Sequence, residues 1–360
     1  MNRRDFIGSL AGVGAGLAVL PVGAAVDSAA ALRLQRSTLV VNGLDTSLRT
    51  SRYLDLLSAG GVNCWHQSVG GIDSFAALLE FCDEYKDRTT FVKDVSGIRE
   101  AYRQGKIAHL AGWQSADVLI SDGRGEPRIG NLRAYRELGL RFCGIAYNNS
   151  NAFGSGCIDP HLGLTQVGRR LIEQIHAQRI ILDVGGHTGE QTSLDAISMS
   201  AGVPVVCTHT NVKSLTNNAR NSSDRLLEAI AATGGVIGVT AFSDFHQRTV
   251  AQVKIPRMAP VSLERHLDEY DYIKKLVGID HVGLGPDYIE GKTYPGGISR
   301  ERMPREIYGD LPWDYVQGFE DIGKLPDLTR GLMQRGWTDA EVRKLLGENW
   351  LRVYEKVWGA

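Results

Sequence analysis

Two histidines, one arginine and one aspartate stand where their side chains could share a pocket. His187 in DVGGHTG and His209 in VVCTHTN each follow a β-type run, and neutral imidazoles are good zinc ligands. Arg220 in NNARNSSD lies 11 residues after His209. It could grip a carboxylate bidentately or make a salt bridge at a helix terminus. Asp287, ending GLGPD, could accept a proton, hold an amine or cap the next segment. Other polar residues just past run ends are Asn42, Thr46, His66, Gln114, Tyr147, Asn148, Asp183, Ser243 and Asp244. Asp183 and Asp244 are the reserve candidates for a base. His266, in SLERHLDEYDYIKK, has a solvated charge pattern and reads as a surface residue; His109 and His176 read as structural.

Positioning such residues requires a scaffold that ends many elements at one place. Eight apolar or β-branched runs, 38–42, 61–66, 107–113, 140–147, 179–184, 204–209, 235–242 and 281–285, alternate with helical stretches. In 164–178, Leu164, Val167, Leu171, Ile172 and Ile175 share one helical face. Ser222 or Ser223 can cap 224–232, and Thr338 with Glu341 makes a capping box. Eight such units predict a (β/α)8 barrel, whose chemistry sits where the strands end. A doubly wound sheet is the alternative, but no GxGxxG follows the first run. The segment 287–326, rich in Gly, Pro, Tyr and Trp, is expected to be a long loop at the barrel rim.

The 360 residues balance 40 basic against 41 acidic side chains, with 43% hydrophobic and 22% charged. That composition excludes disorder and gives no basic surplus for a nucleic-acid partner. Five cysteines without CxxC spacing argue against a disulfide framework or a structural zinc. There is no GxSxG elbow and no P-loop. Residues 1–26 carry Arg3 and Arg4, then a weakly hydrophobic Gly/Ala run, and look like a twin-arginine export signal; a short membrane anchor is the alternative. The expected product is a single barrel domain over 27–360, periplasmic or extracellular, with no stable membrane span after processing.

The stretch 163–242, with VGIDHVGLGPDYIEG (277–291) and GENWLRVYEKVWG (347–359), resembles the membrane (renal) dipeptidase family of metallopeptidases, and the likeness runs over nearly all of 38–359. The resemblance implies an amidohydrolase-like (β/α)8 barrel, a homodimer, and two zinc ions bridged by a glutamate that hydrolyse dipeptides. It gives His187 and His209 as ligands of the second metal, although DVGGH has one residue more than the usual DLSH. It gives Arg220 as the contact for the substrate carboxylate and Asp287 as the aspartate near the scissile amide.

Three positions depart from the family pattern. Leu44 and Thr46 stand where the HxD pair holds the first zinc, Gln114 in GWQSAD replaces the bridging glutamate, and Tyr147 in AYNNSN replaces a substrate-facing histidine. A neutral amide cannot offset the charge of two zinc ions as a carboxylate does. The sequence therefore predicts a divergent branch with at most one zinc, on His187, His209 and Gln114, and allows none. Tyr147 and Asn148 are expected to touch the substrate. The leading expectation is an exported hydrolase cleaving an amide in a dipeptide or small amino-acid conjugate, with Asp287 as base. The alternatives are lyase or tailoring chemistry on a peptide-derived metabolite, or a catalytically silent binding protein.

Overall fold

The computed structural model describes residues 28–120, 127–249, 257–290 and 299–359. Residues 1–26, read as an export signal, lie outside the described residues.

Among the described residues nine strands run in parallel: β1 Val41–Asp45, β2 Cys64–Ser68, β3 Thr89–Phe91, β4 Ile107–Trp113, β5 Leu140–Gly144, β6 Ile181–Asp183, β7 Cys207–Thr210, β8 Ile237–Val239 and β9 Val282–Leu284. Pairing runs β1-β2-β4-β5-β6 and β7-β8-β9. Val184 N to Val206 O at 2.8 Å and Val206 N to Leu182 O at 3.0 Å join β6 to β7. Asp287 N to Leu44 O at 3.2 Å and Thr46 N to Tyr288 O at 3.0 Å bring the end of β9 beside β1. The result is an eight-stranded (β/α)8 barrel with helices outside, and the doubly wound alternative falls away. The short strand β3 is an addition to the eight runs of the sequence. It pairs with the first half of β4 and stands outside the barrel wall.

Local chemistry fixes where the helices begin. Thr165 caps Gln166–Ala177, Ser223 caps Asp224–Ala232, and Thr338 with Glu341 forms a reciprocal capping box ahead of Asp339–Arg343. Each cap satisfies an N–H that the helix cannot. The face carrying Leu171, Ile172 and Ile175 is fully buried against the sheet.

The floor of the barrel is closed by the helix Asn349–Trp358. Its Trp350 is fully buried and donates from Nε1 to Leu284 O at 3.1 Å. Two glycines make room for the indole: a Cβ on Gly43 or Gly283 would come within 2.4 or 2.6 Å of it. Val41, Cys64, Leu110, Phe142, Ile181 and Val206 pack around it with Tyr354 and Trp358. All five cysteines are buried and unpaired. Among the described residues no helix is long and apolar enough to cross a membrane.

Candidate functional site

At the opposite end of the barrel, the residues that follow the strands converge. His187 lies between the amides of Asn148 and Gln114, with Nδ1 2.7 Å from Asn148 Oδ1 and Nε2 2.8 Å from Gln114 Oε1. Asn148 Nδ2 donates to Arg302 O at 2.6 Å, so its oxygen is the atom turned toward His187, and Nδ1 carries the proton. Burial, with the Arg220 charge next in importance, holds His187 well below the usual imidazole range, so the ring is neutral and Nε2 presents a lone pair. Only the NH2 end of the Gln114 amide can bond to that lone pair. The Tyr147 ring stacks on His187 with centroids 3.8 Å apart, and the Arg302 guanidinium lies over Tyr147.

His209 has the same tautomer for a different reason. Thr208 Oγ1 donates to Asp183 Oδ2 at 2.6 Å, so at 2.8 Å from His209 Nδ1 it must accept. His209 Nε2 is then a buried lone pair without a hydrogen-bond partner. Its ring centroid is 4.9 Å from that of His187.

Arg220 is 1% exposed, and that number matters because no carboxylate pairs with it among the described residues. Nε donates to the Tyr308 hydroxyl at 3.0 Å, Nη2 faces His187 Nε2 at 3.3 Å, and Nη1 has no hydrogen-bond partner. The guanidinium also lies over the Phe245 ring, 5.2 Å from its centroid. A buried cation in this state invites an anion, since burying an unpaired charge is costly.

Asp287 sits partly buried at the end of β9 with a backbone φ of +56°, and Asn148 has φ +61°. Left-handed backbone is strained for most residues and is tolerated best by Asn and Asp. Burial pushes the Asp287 carboxyl up to about 7, with the Arg220 charge opposing and Asp45 adding to the rise. Asp45, fully buried, accepts from the Tyr53 hydroxyl, from Asn42 Nδ2 at 3.0 Å and from Ser47 N at 2.8 Å; burial still raises it to about 6. Of the reserve bases, Asp183 is committed to Thr208 through both oxygens, and Asp244 lies 3.4 Å from Arg248.

The structure thus brings Gln114, Tyr147, Asn148, His187, His209, Arg220 and Asp287 to one mouth. It adds Tyr308, a residue with no sequence signal beyond its place in an aromatic-rich loop. His266 is a correction: it is fully buried, 3.2 Å from His246 Nε2 and packed against Tyr270 and Phe319. The helix Leu263–Val277 turns His266, Glu269, Tyr270 and Ile273 inward, and Glu269 is a buried carboxylate paired with Arg265 and His246. A buried charge makes that face look solvated in the sequence.

The donors do not fit a pair of bridged metals. Leu44 is in the core, Thr46 donates its hydroxyl to Tyr288 O at 3.2 Å, and Gln114 is neutral. Among the described residues no group of three or more His, Cys, Asp or Glu is placed to hold a metal.

A parallel barrel with a polar mouth built from strand ends is the layout of a (β/α)8 enzyme. The chain belongs to the membrane dipeptidase family, peptidase family M19, whose model matches residues 69–307 and 312–359. It is a family of metallopeptidases, so the protein is classed as a hydrolase. Among solved structures, an amidohydrolase from Pseudomonas aeruginosa is 26% identical, with a TM-score of 0.80 over 92% of this chain and 99% of its own. The probable dipeptidase PvdM from Pseudomonas aeruginosa is 17% identical, with a TM-score of 0.74 over 92% and 98%. A metallopeptidase from Rhodobacter sphaeroides, liganded with a phosphinate mimic of the dipeptide L-Ala-D-Ala, is 21% identical, with a TM-score of 0.69 over 89% and 100%. The last two speak for the fold.

Proposed function

We propose that this protein hydrolyses the amide bond of a dipeptide or small amino-acid conjugate that ends in a free carboxylate. The observation that carries this reading is the buried Arg220 guanidinium with an unpartnered Nη1 at the mouth of a dipeptidase-family barrel. The substrate carboxylate pairs with Arg220, and Tyr147 and Asn148 wall the pocket beside His187. Asp287 removes a proton from water as its oxygen bonds to the carbonyl carbon, then returns that proton to the nitrogen as the C–N bond breaks. Its raised pKa suits both roles near neutral pH.

At most one zinc per chain accompanies this reading, and zero zinc is equally compatible with it; a bound zinc would be held by His187, His209 and Gln114. Residues 1–26 serve as a twin-arginine signal that delivers the chain to the periplasm or beyond, and the barrel works as a homodimer. The neutral donor set gives weight to a second reading, in which the same carboxylate grip serves lyase or tailoring chemistry, or binding alone.

The test is a panel of dipeptides assayed as free acids and as C-terminal amides. Cleavage of the acids with loss of the amides supports the proposal; binding of the acids without cleavage favours the second reading.

A further inference from the structure

The His187 nitrogen that a metal would need is already engaged. With Nδ1–H given to Asn148, Nε2 is the only lone pair on the ring, and Arg220 Nη2 lies 3.3 Å from it. The Gln114 amide approaches the same nitrogen at 2.8 Å. A donor with a full positive charge therefore faces that lone pair, and the Gln114 side chain fills the space beside it. Were the ring protonated on both nitrogens, it would have no lone pair to offer.

Arg220 reaches this position through a specific gap in the wall. Gly186 has φ +55°, and a Cβ there would stand 2.6 Å from Arg220 Nη1 and 2.7 Å from His209 O. Gly185, with φ +70°, precedes it. Together they form the DVGGH segment that is one residue longer than the DLSH pattern. Tyr308 holds the other side of the guanidinium through Nε.

We propose that this barrel does not take up zinc at His187 and His209, because the Arg220 guanidinium lies against His187 Nε2 and the neutral Gln114 stands where a bridging carboxylate would offset it. Any cation on Nε2 would have the guanidinium as its immediate neighbour, with no carboxylate among its ligands to offset the two charges. The inference shares Arg220 and its pocket with the functional reading, but the exclusion of zinc holds whether the reaction is hydrolysis or not.

The experiment is zinc binding by the full chain, stripped with chelator and titrated calorimetrically with zinc chloride, with metal content read by elemental analysis after dialysis. Wild type is expected to show no saturable site and no retained zinc. Arg220→Leu, which removes the charge and the donors without adding a ligand atom, is expected to bind zinc at least about tenfold more tightly than wild type. That gain should disappear when His187→Ala is added. Retention of one or more equivalents by wild type, lost in His187→Ala, overturns the proposal. Unchanged zinc affinity in a folded Arg220→Leu variant overturns it as well. Neither readout depends on turnover, so failure of the dipeptide assay is a separate result.

Discussion

Tyr308 accepts a hydrogen bond from Arg220 Nε at 3.0 Å, although 88 positions separate the two residues in the chain. The same hydroxyl lies 2.9 Å from Asn148 Nδ2. Tyr308→Phe removes only the oxygen, and a hydrogen bond to a charged group is worth about 1.5–3 kcal/mol. The expected outcome in steady-state kinetics is a rise in KM of about tenfold for carboxylate substrates, with kcat little changed. An unchanged KM would mean that Phe245 and the barrel wall suffice to hold the guanidinium.

Arg220→Lys should recover only part of what Arg220→Ala loses. A lysine keeps the charge but has no planar fork to meet both oxygens of a carboxylate. Direct binding of a free-acid dipeptide should rank wild type above Lys and Lys above Ala. Equal affinities for all three would reduce Arg220 to a structural cation.

Asp287 must be ionised to take a proton, and its carboxyl titrates at about 7. The sign follows: kcat/KM should rise as pH is raised through about 7, whereas an ordinary carboxylate would already be fully ionised by about pH 6. Asp287→Asn should abolish most turnover and leave the thermal midpoint nearly unchanged. A variant that keeps full activity would move the base elsewhere.

Asp45 reports on stability in the opposite sense. Burial raises its folded pKa to about 6, above the unfolded value near 3.8. The folded state therefore binds the proton more tightly, and the stability contributed is complete below about pH 4 and lost as pH rises to about 6. The contribution is on the order of 3 kcal/mol, because each tenfold gain in proton affinity is worth about 1.36 kcal/mol. Urea unfolding of wild type and Asp45→Asn at several pH values between about 4 and 7 should show the two curves diverging over this window. Parallel curves would show that Asp45 stays charged when folded.

Much of this is legible in residue order because the signals are local. The run at 107–113 corresponds residue for residue to β4 Ile107–Trp113, and Ser223 and Thr338 cap helices as their side chains require. Strand β3 leaves no mark in the sequence because Thr89–Phe91 is too short to show alternation. His266 reads as exposed because Glu269 and Arg265 neutralise one another out of sight, and a charge pattern does not reveal its partner. Tyr308 is silent in the sequence, since nothing near position 308 points to Arg220.

The Trp350 stopper has a consequence for traffic through the molecule. With the indole seated between Gly43 and Gly283, the barrel is closed below, and whatever reaches Arg220 must arrive and depart at the opposite end, where the strands end. A departing fragment that retains the carboxylate would hold the doorway against its successor, giving inhibition by product that is competitive with substrate.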